Sequence, residues 1–96
     1  MVHKAGYTHN DLKPPNVMMN ENFEPILIDF GFAQKYTDSS EPNNHIKKGK
    51  VDFFGGNFLY ASLNQMKFNR TSRRDDMISF AYILLSVLNN GQLPCL

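Results

Sequence analysis

From Met77 to Leu88 the chain is apolar at nearly every position, interrupted by Ser79 and Ser86. This stretch constrains the fold more than any other. Ser72 stands where a helix cap belongs, and Asp75 and Asp76 place acid in the first turns, where the helix dipole favours it. Asn90-Gly91 supplies a stop and Pro94 follows. The pattern predicts one helix over roughly residues 72–89. A helix that is apolar all round is buried all round. Only 96 residues are present, and few remain to surround it. The helix therefore demands further neighbours, either more of the same domain or another subunit. It is too short to span a bilayer, which takes roughly 20 apolar residues.

Apolar residues make up 42% of the chain and charged residues 20%, which suits one small soluble unit. The net charge of +1 gives no pull toward nucleic acid or an anionic membrane, so neither is expected as a partner. The single cysteine, Cys95, rules out an internal disulfide and fits a reducing, intracellular setting, cytoplasmic or nuclear. No signal peptide is expected at the start.

Residues 1–16 read as a short helical end followed by a loop, because Pro14 and Pro15 forbid a regular helix. Val17–Met19 and Pro25–Ile28 are short apolar runs around the turn-forming Asn20-Glu21-Asn22. They predict an antiparallel hairpin. Residues 37–50 are polar and rich in turn formers, which predicts a mobile surface loop with a basic end at Lys47, Lys48 and Lys50. That end is either an ordinary solvated face or a strip that contacts an anion or substrate.

Two constellations carry chemistry: His9-Asn10-Asp11-Leu12-Lys13-Pro14-Pro15-Asn16 and Asp29-Phe30-Gly31. Asn16 immediately precedes the first strand and Asp29 follows the second. A hairpin returns to its origin, so the Asn16 amide oxygen and the Asp29 carboxylate are expected side by side. Two hard oxygen ligands plus phosphate oxygens suit Mg2+. A carboxylate at Asp11 can take a hydroxyl proton, and a cation at Lys13 can offset charge on a transferring phosphoryl group.

HxDxKPxN followed by DFG resembles the catalytic loop and metal-binding motif of protein kinases. The lysine two residues after the aspartate resembles the serine/threonine class. The resemblance implies Asp11 as catalytic base, Lys13 on the γ-phosphate of ATP, and Asn16 and Asp29 as ligands of Mg2+. It implies His9 as a packing residue under the loop, Phe30 as an apolar residue packing toward a small lobe, and Gly31 as a point of backbone freedom. Gly56-Asn57-Phe58-Leu59-Tyr60-Ala61-Ser62, then Ser72-Arg73-Arg74-Asp75-Asp76, resembles the casein kinase 1 family. By that likeness Asp76 hydrogen-bonds the catalytic-loop backbone; otherwise it is a simple helix-dipole acid.

Three positions depart from the pattern. Asn10 replaces an arginine that usually meets a phosphorylated activation loop, so control through Thr37, Ser39 or Ser40 is not expected. Asn57 replaces a threonine that contacts the catalytic aspartate, and its amide can still donate. Leu59 replaces an arginine that in casein kinase 1 relatives helps bind an anionic group. No glycine-rich loop, strand lysine or partner glutamate is found, and Gly55-Gly56 does not stand in for them.

The expected fold class is α+β: a partial kinase-like large lobe with catalytic loop, short hairpin, activation loop and buried central helix, and no small lobe. Residues 1–96 would form one partial kinase domain, cut at both ends and inactive alone. It would need the rest of the domain, ATP and a protein substrate with a serine or threonine. The competing readings are a pseudokinase-like binding or scaffold module and a non-functional fragment.

Overall fold

The computed structural model describes residues 2–37, 46, 49–51 and 54–93. The expectations for most of the 37–50 loop, including Lys47 and Lys48, and for Pro94 and Cys95 lie outside the described residues. The chain opens with a 3-10 turn at His3–Ala5, strand β1 at Tyr7–Thr8, and a second 3-10 turn at Pro14–Asn16. Strands β2 (Val17–Met19), β3 (Pro25–Leu27) and β4 (Gln34–Lys35) follow, then helices α1 (Leu63–Met66) and α2 (Arg73–Leu88).

The hairpin forms as the apolar runs require. Val17 pairs with Leu27, Met18 with Ile26 and Met19 with Pro25, antiparallel. Its turn is built by Asn20, whose side-chain oxygen accepts from the backbone N–H of Asn22 and of Glu24, each at 2.9 Å. A second two-stranded ladder joins β1 to β4, pairing Tyr7 with Lys35 and Thr8 with Gln34. The loop from His9 to Asn16 leaves β1 and enters β2. The loop from Ile28 to Ala33 leaves β3 and enters β4. Both loops are thus strung between the same two ladders and must run side by side.

Helix α2 matches the predicted span, with Ser72 and Asn89 as its caps. Asp75 reaches back to accept from the Ser72 N–H at 2.8 Å. Burial of this helix is one-sided, as the shortage of residues to surround it implies. Asp75, Asp76, Ser79, Ile83 and Ser86 form one buried stripe, while Val87 is 67% exposed and Leu88 84%. Met77, Phe80, Leu84 and Leu85 are also exposed. The described residues pack against a single face, so the helix is half-covered and not a buried central helix within this chain. Its two serines sit on the covered face because they have partners there. Ser79 Oγ donates to the Tyr60 carbonyl at 2.6 Å, and Ser86 Oγ lies 3.4 Å from the Tyr60 hydroxyl. No helix among the described residues is long and apolar enough to cross a membrane.

Leu12, Tyr60, Ile83 and Leu93 make the core, with Val17, Leu27 and Tyr82 packed against it. Leu12 belongs to the loop after β1, Tyr60 precedes α1, and Ile83 lies on α2. The core therefore clamps the 9–16 loop between the hairpin and the long helix.

Candidate active site

Asp11 is only 3% exposed, yet its carboxylate is well supplied with donors. Oδ1 accepts from Asn57 Nδ2 at 3.0 Å and Oδ2 from Asn16 Nδ2 at 3.2 Å. Lys13 Nζ stands 4.0 Å from Oδ2. Asn57 is itself fixed, because its amide oxygen accepts from the Tyr60 N–H at 2.7 Å and its nitrogen also reaches the Leu12 carbonyl at 3.3 Å. Two side-chain amides thus hold the carboxylate from opposite oxygens, and a cation stands beside it.

Asn16 directs its donors at Asp11, bonding the carbonyl at 2.8 Å as well as the carboxylate. The amide oxygen, an acceptor, is therefore turned away from Asp11. The Ile28 N–H donates to the Asn16 carbonyl at 3.0 Å, extending the hairpin ladder by one step. Asp29 follows directly, exposed and with φ of 61°. One carboxylate oxygen accepts from the Gly31 N–H at 3.3 Å. Gly31 does not use the left-handed region; Asp29 does. A Cβ on Gly31 would lie 3.3 Å from Asp29 Oδ1, so the glycine gives room to the carboxylate.

His9 is fully buried and both ring nitrogens have backbone partners. Nε2 lies 2.9 Å from the Ile28 carbonyl, and Nδ1 accepts from the Asp11 N–H at 3.2 Å. This pair of partners selects the neutral Nε2–H tautomer and leaves no nitrogen for proton transfer. Phe30 packs edge-on against the His9 ring at 4.9 Å. Phe30 also borders an apolar groove of about 550 Å3, shared with Leu12, Val17, Leu27, Met77 and Phe80.

Asp76 anchors the loop from below. Its carboxylate accepts from the His9 N–H at 2.7 Å and the Asn10 N–H at 2.9 Å, and meets His3 Nε2 at 2.9 Å. A dipole acid at a helix start would face solvent; this one is 4% exposed and aimed at the loop that runs from His9 to Asn16. Asn10 takes φ of 72° and donates from Nδ2 to the Phe32 carbonyl at 2.9 Å, tying the two loops together.

Several supports were not legible in the motifs. Gln65 donates from Nε2 to the carbonyls of Asn10 at 2.8 Å and Gly55 at 2.6 Å. Asp75, read from sequence as a dipole acid, is 1% exposed and accepts from Ser62 Oγ at 2.6 Å and Asn64 Nδ2 at 3.3 Å. The available signal was a polar residue in phase with the buried stripe of α2. Gly56 has φ of +127°, and a Cβ there would lie 2.3 Å from the Asn10 carbonyl oxygen. Gly56→Ala is expected to cost the intact protein about 2–4 kcal/mol, combining backbone strain with overpacking. A urea unfolding curve checks this, and a change below about 0.5 kcal/mol, ordinary for a surface position, would contradict it.

The protein kinase domain family matches residues 1–95. The chain belongs to that family. Within it the chain is casein kinase 1-like: a protein of Encephalitozoon cuniculi (strain GB-M1) named "Probable casein kinase I homolog" is 34% identical over 93 residues. The match covers 97% of this chain and 28% of that protein, so the chain spans under a third of the relative's length.

Proposed function

We propose that this chain is the catalytic-loop and metal-binding section of the large lobe of a serine/threonine protein kinase. The activity is transfer of the γ-phosphoryl group of ATP to a protein hydroxyl. The observation that carries this reading is the buried Asp11 carboxylate, held by Asn57 and Asn16 with Lys13 alongside. A carboxylate so fixed can accept the proton of an incoming hydroxyl. The hydroxyl oxygen bonds the γ-phosphorus, the bond to the β,γ-bridging oxygen breaks, and ADP leaves. Lys13 offsets charge on the phosphoryl oxygens.

Asn16 and Asp29 would hold Mg2+, and the donor set fits. The Asn16 donors are spent on Asp11, while Asp29 is exposed with one oxygen engaged by Gly31. When bound, Mg2+ neutralises phosphate charge. Residues 1–96 alone are expected to be inactive, because they supply a base, a lysine and two metal ligands but no cover for the nucleotide. A location inside the cell accords with this reading and with the single cysteine.

Asp29→Asn in the intact protein tests the metal assignment. The Mg2+-dependent part of nucleotide affinity, measured by calorimetry, is expected to fall about tenfold or more, since a charged ligand becomes neutral. Asp11→Asn should leave it nearly unchanged. Equal affinities for the two variants in Mg2+ would overturn the separate roles. Mg·ATP binding without transfer to any protein would favour a scaffold.

A further inference from the structure

We propose that Gln65 is a positioning residue for Asp11: by clipping two backbone carbonyls together, it sets the distance at which Asn57 meets the Asp11 carboxylate. The inference rests on the kinase reading above and adds to the same site a residue that stands outside both sequence motifs. Gln65 is 4% exposed. Its side-chain nitrogen carries two hydrogens and has two acceptors, the Asn10 carbonyl at 2.8 Å and the Gly55 carbonyl at 2.6 Å. The first carbonyl belongs to the peptide group that joins Asn10 to Asp11. The second belongs to the peptide group that joins Gly55 to Gly56, with Asn57 next in the chain. The circuit closes through Asn57 Nδ2, which donates to Asp11 Oδ1 at 3.0 Å.

This circuit has no slack. Gly56 passes so close that a Cβ there would lie 2.3 Å from the Asn10 carbonyl oxygen and 2.7 Å from Gln65 Nε2. Asn10 takes φ of 72°, a region where residues other than glycine stay only when their surroundings hold them. It is held on both sides: Asp76 Oδ1 accepts from its N–H at 2.9 Å, and Gln65 donates to its carbonyl. Gln65 is fixed in turn. Its N–H donates to Ser62 Oγ at 3.0 Å, and that hydroxyl donates to Asp75 Oδ1 at 2.6 Å. The clip is therefore braced on α2, the helix that also supplies Asp76.

Without the Gln65 amide, the Asn10 and Gly55 carbonyls lose a shared donor, and residues 55–57 can draw back from the 9–16 loop. Asn57 then meets the carboxylate at a longer distance or not at all, and the aim of Asp11 at an incoming hydroxyl loosens. A displacement of about 1 Å at a reacting group can cost about a hundredfold in rate.

Gln65→Met removes the donors at nearly constant size. In the intact protein, single-turnover phosphoryl transfer is expected to slow about ten- to a hundredfold, while Mg·ATP affinity measured by calorimetry stays within about threefold. Asn57→Ala should slow transfer at least as much. The double variant should be slower than Asn57→Ala by no more than about twofold, because one residue acts through the other. Separate packing roles would multiply the two losses. Gln65→Asn keeps an NH2 group but is one methylene too short to span both carbonyls, and it carries the same cycle if Gln65→Met does not fold. A second readout needs no turnover. In the nitrogen–proton NMR spectrum, the side-chain NH2 signal of Asn57, assigned by its absence in Asn57→Ala, should shift in the Gln65 variant. That of Asn16, which serves the other carboxylate oxygen, should stay in place. Multiplied losses or an unmoved Asn57 signal overturns the proposal. A shifted Asn57 signal in a protein whose unsubstituted form transfers phosphoryl to no protein would support the clip and sink the catalytic reading. Asp11-dependent transfer with an unmoved signal would do the reverse.

Discussion

Replacing Asp11 with asparagine in the intact protein is expected to lower the rate of phosphoryl transfer by about a thousandfold, the middle of the range for losing a positioned general base. The structure adds a second effect. The two carboxylate oxygens accept from different donors, Asn57 Nδ2 and Asn16 Nδ2. An asparagine presents one oxygen and one NH2 group, so whichever way it turns, one neighbouring amide faces a donor. That mismatch should destabilise the site by about 1–3 kcal/mol. Single-turnover transfer separates the effects when read beside a thermal melt and nucleotide titration. A chemical step within tenfold of the unsubstituted protein would show that Asp11 is not the base.

Asp76→Ala is expected to be the most damaging change for stability, at about 3–5 kcal/mol, the usual cost of removing one partner from a buried charged network. Its carboxylate serves the His9 N–H, the Asn10 N–H and His3. Alanine would leave two buried backbone donors unpaired at the entry to the 9–16 loop. A helix-dipole acid would be worth only about 0.3–1 kcal/mol, so denaturant unfolding of the intact protein distinguishes the two roles. Asp76→Asn keeps one acceptor oxygen and should fall between. A loss below about 1 kcal/mol for the alanine variant would return Asp76 to the dipole role.

The elements legible in the sequence are those with a long or redundant signal. The α2 helix carries a cap, acid in its first turns, an apolar body and a stop. The β2–β3 hairpin carries two apolar runs around Asn20, which builds the turn. Strands β1 and β4 have two residues each, too few to show a period of two, and they form because the chain brings Thr8 opposite Gln34. Helix α1 is a single turn begun by Ser62, which accepts from the Gln65 N–H at 3.0 Å, and only this Ser-x-x-Gln cap marks it in the sequence.

The site divides in the same way. Asp11, Lys13, Asn16 and Asp29 were visible because they stand in two motifs whose residue types and spacing resemble those of protein kinases. Gln65, Gly56 and Asp75 were not, because their roles depend on carbonyls and hydroxyls that only the folded chain brings near. The one-sided cover of α2 was foreseeable for a related reason. An apolar surface shows what it would bury, and the partner that buries it need not lie in the same 96 residues.

The carboxylate of Asp76 also sets a time order on synthesis. It bonds the backbone of His9 across 67 positions and that of Asn10 across 66. A growing chain therefore exposes its 9–16 loop long before the group that shapes it exists. At about 5–20 residues per second, the loop waits roughly 3–13 s for that residue to be added. Until then the backbone N–H groups of His9 and Asn10 have only water to satisfy them, and the hairpin, whose contacts are local, can close first. The geometry around Asp11 thus comes late in the life of the nascent chain, and a polypeptide released before residue 76 would carry the His9–Asn16 motif without the means to hold it in shape.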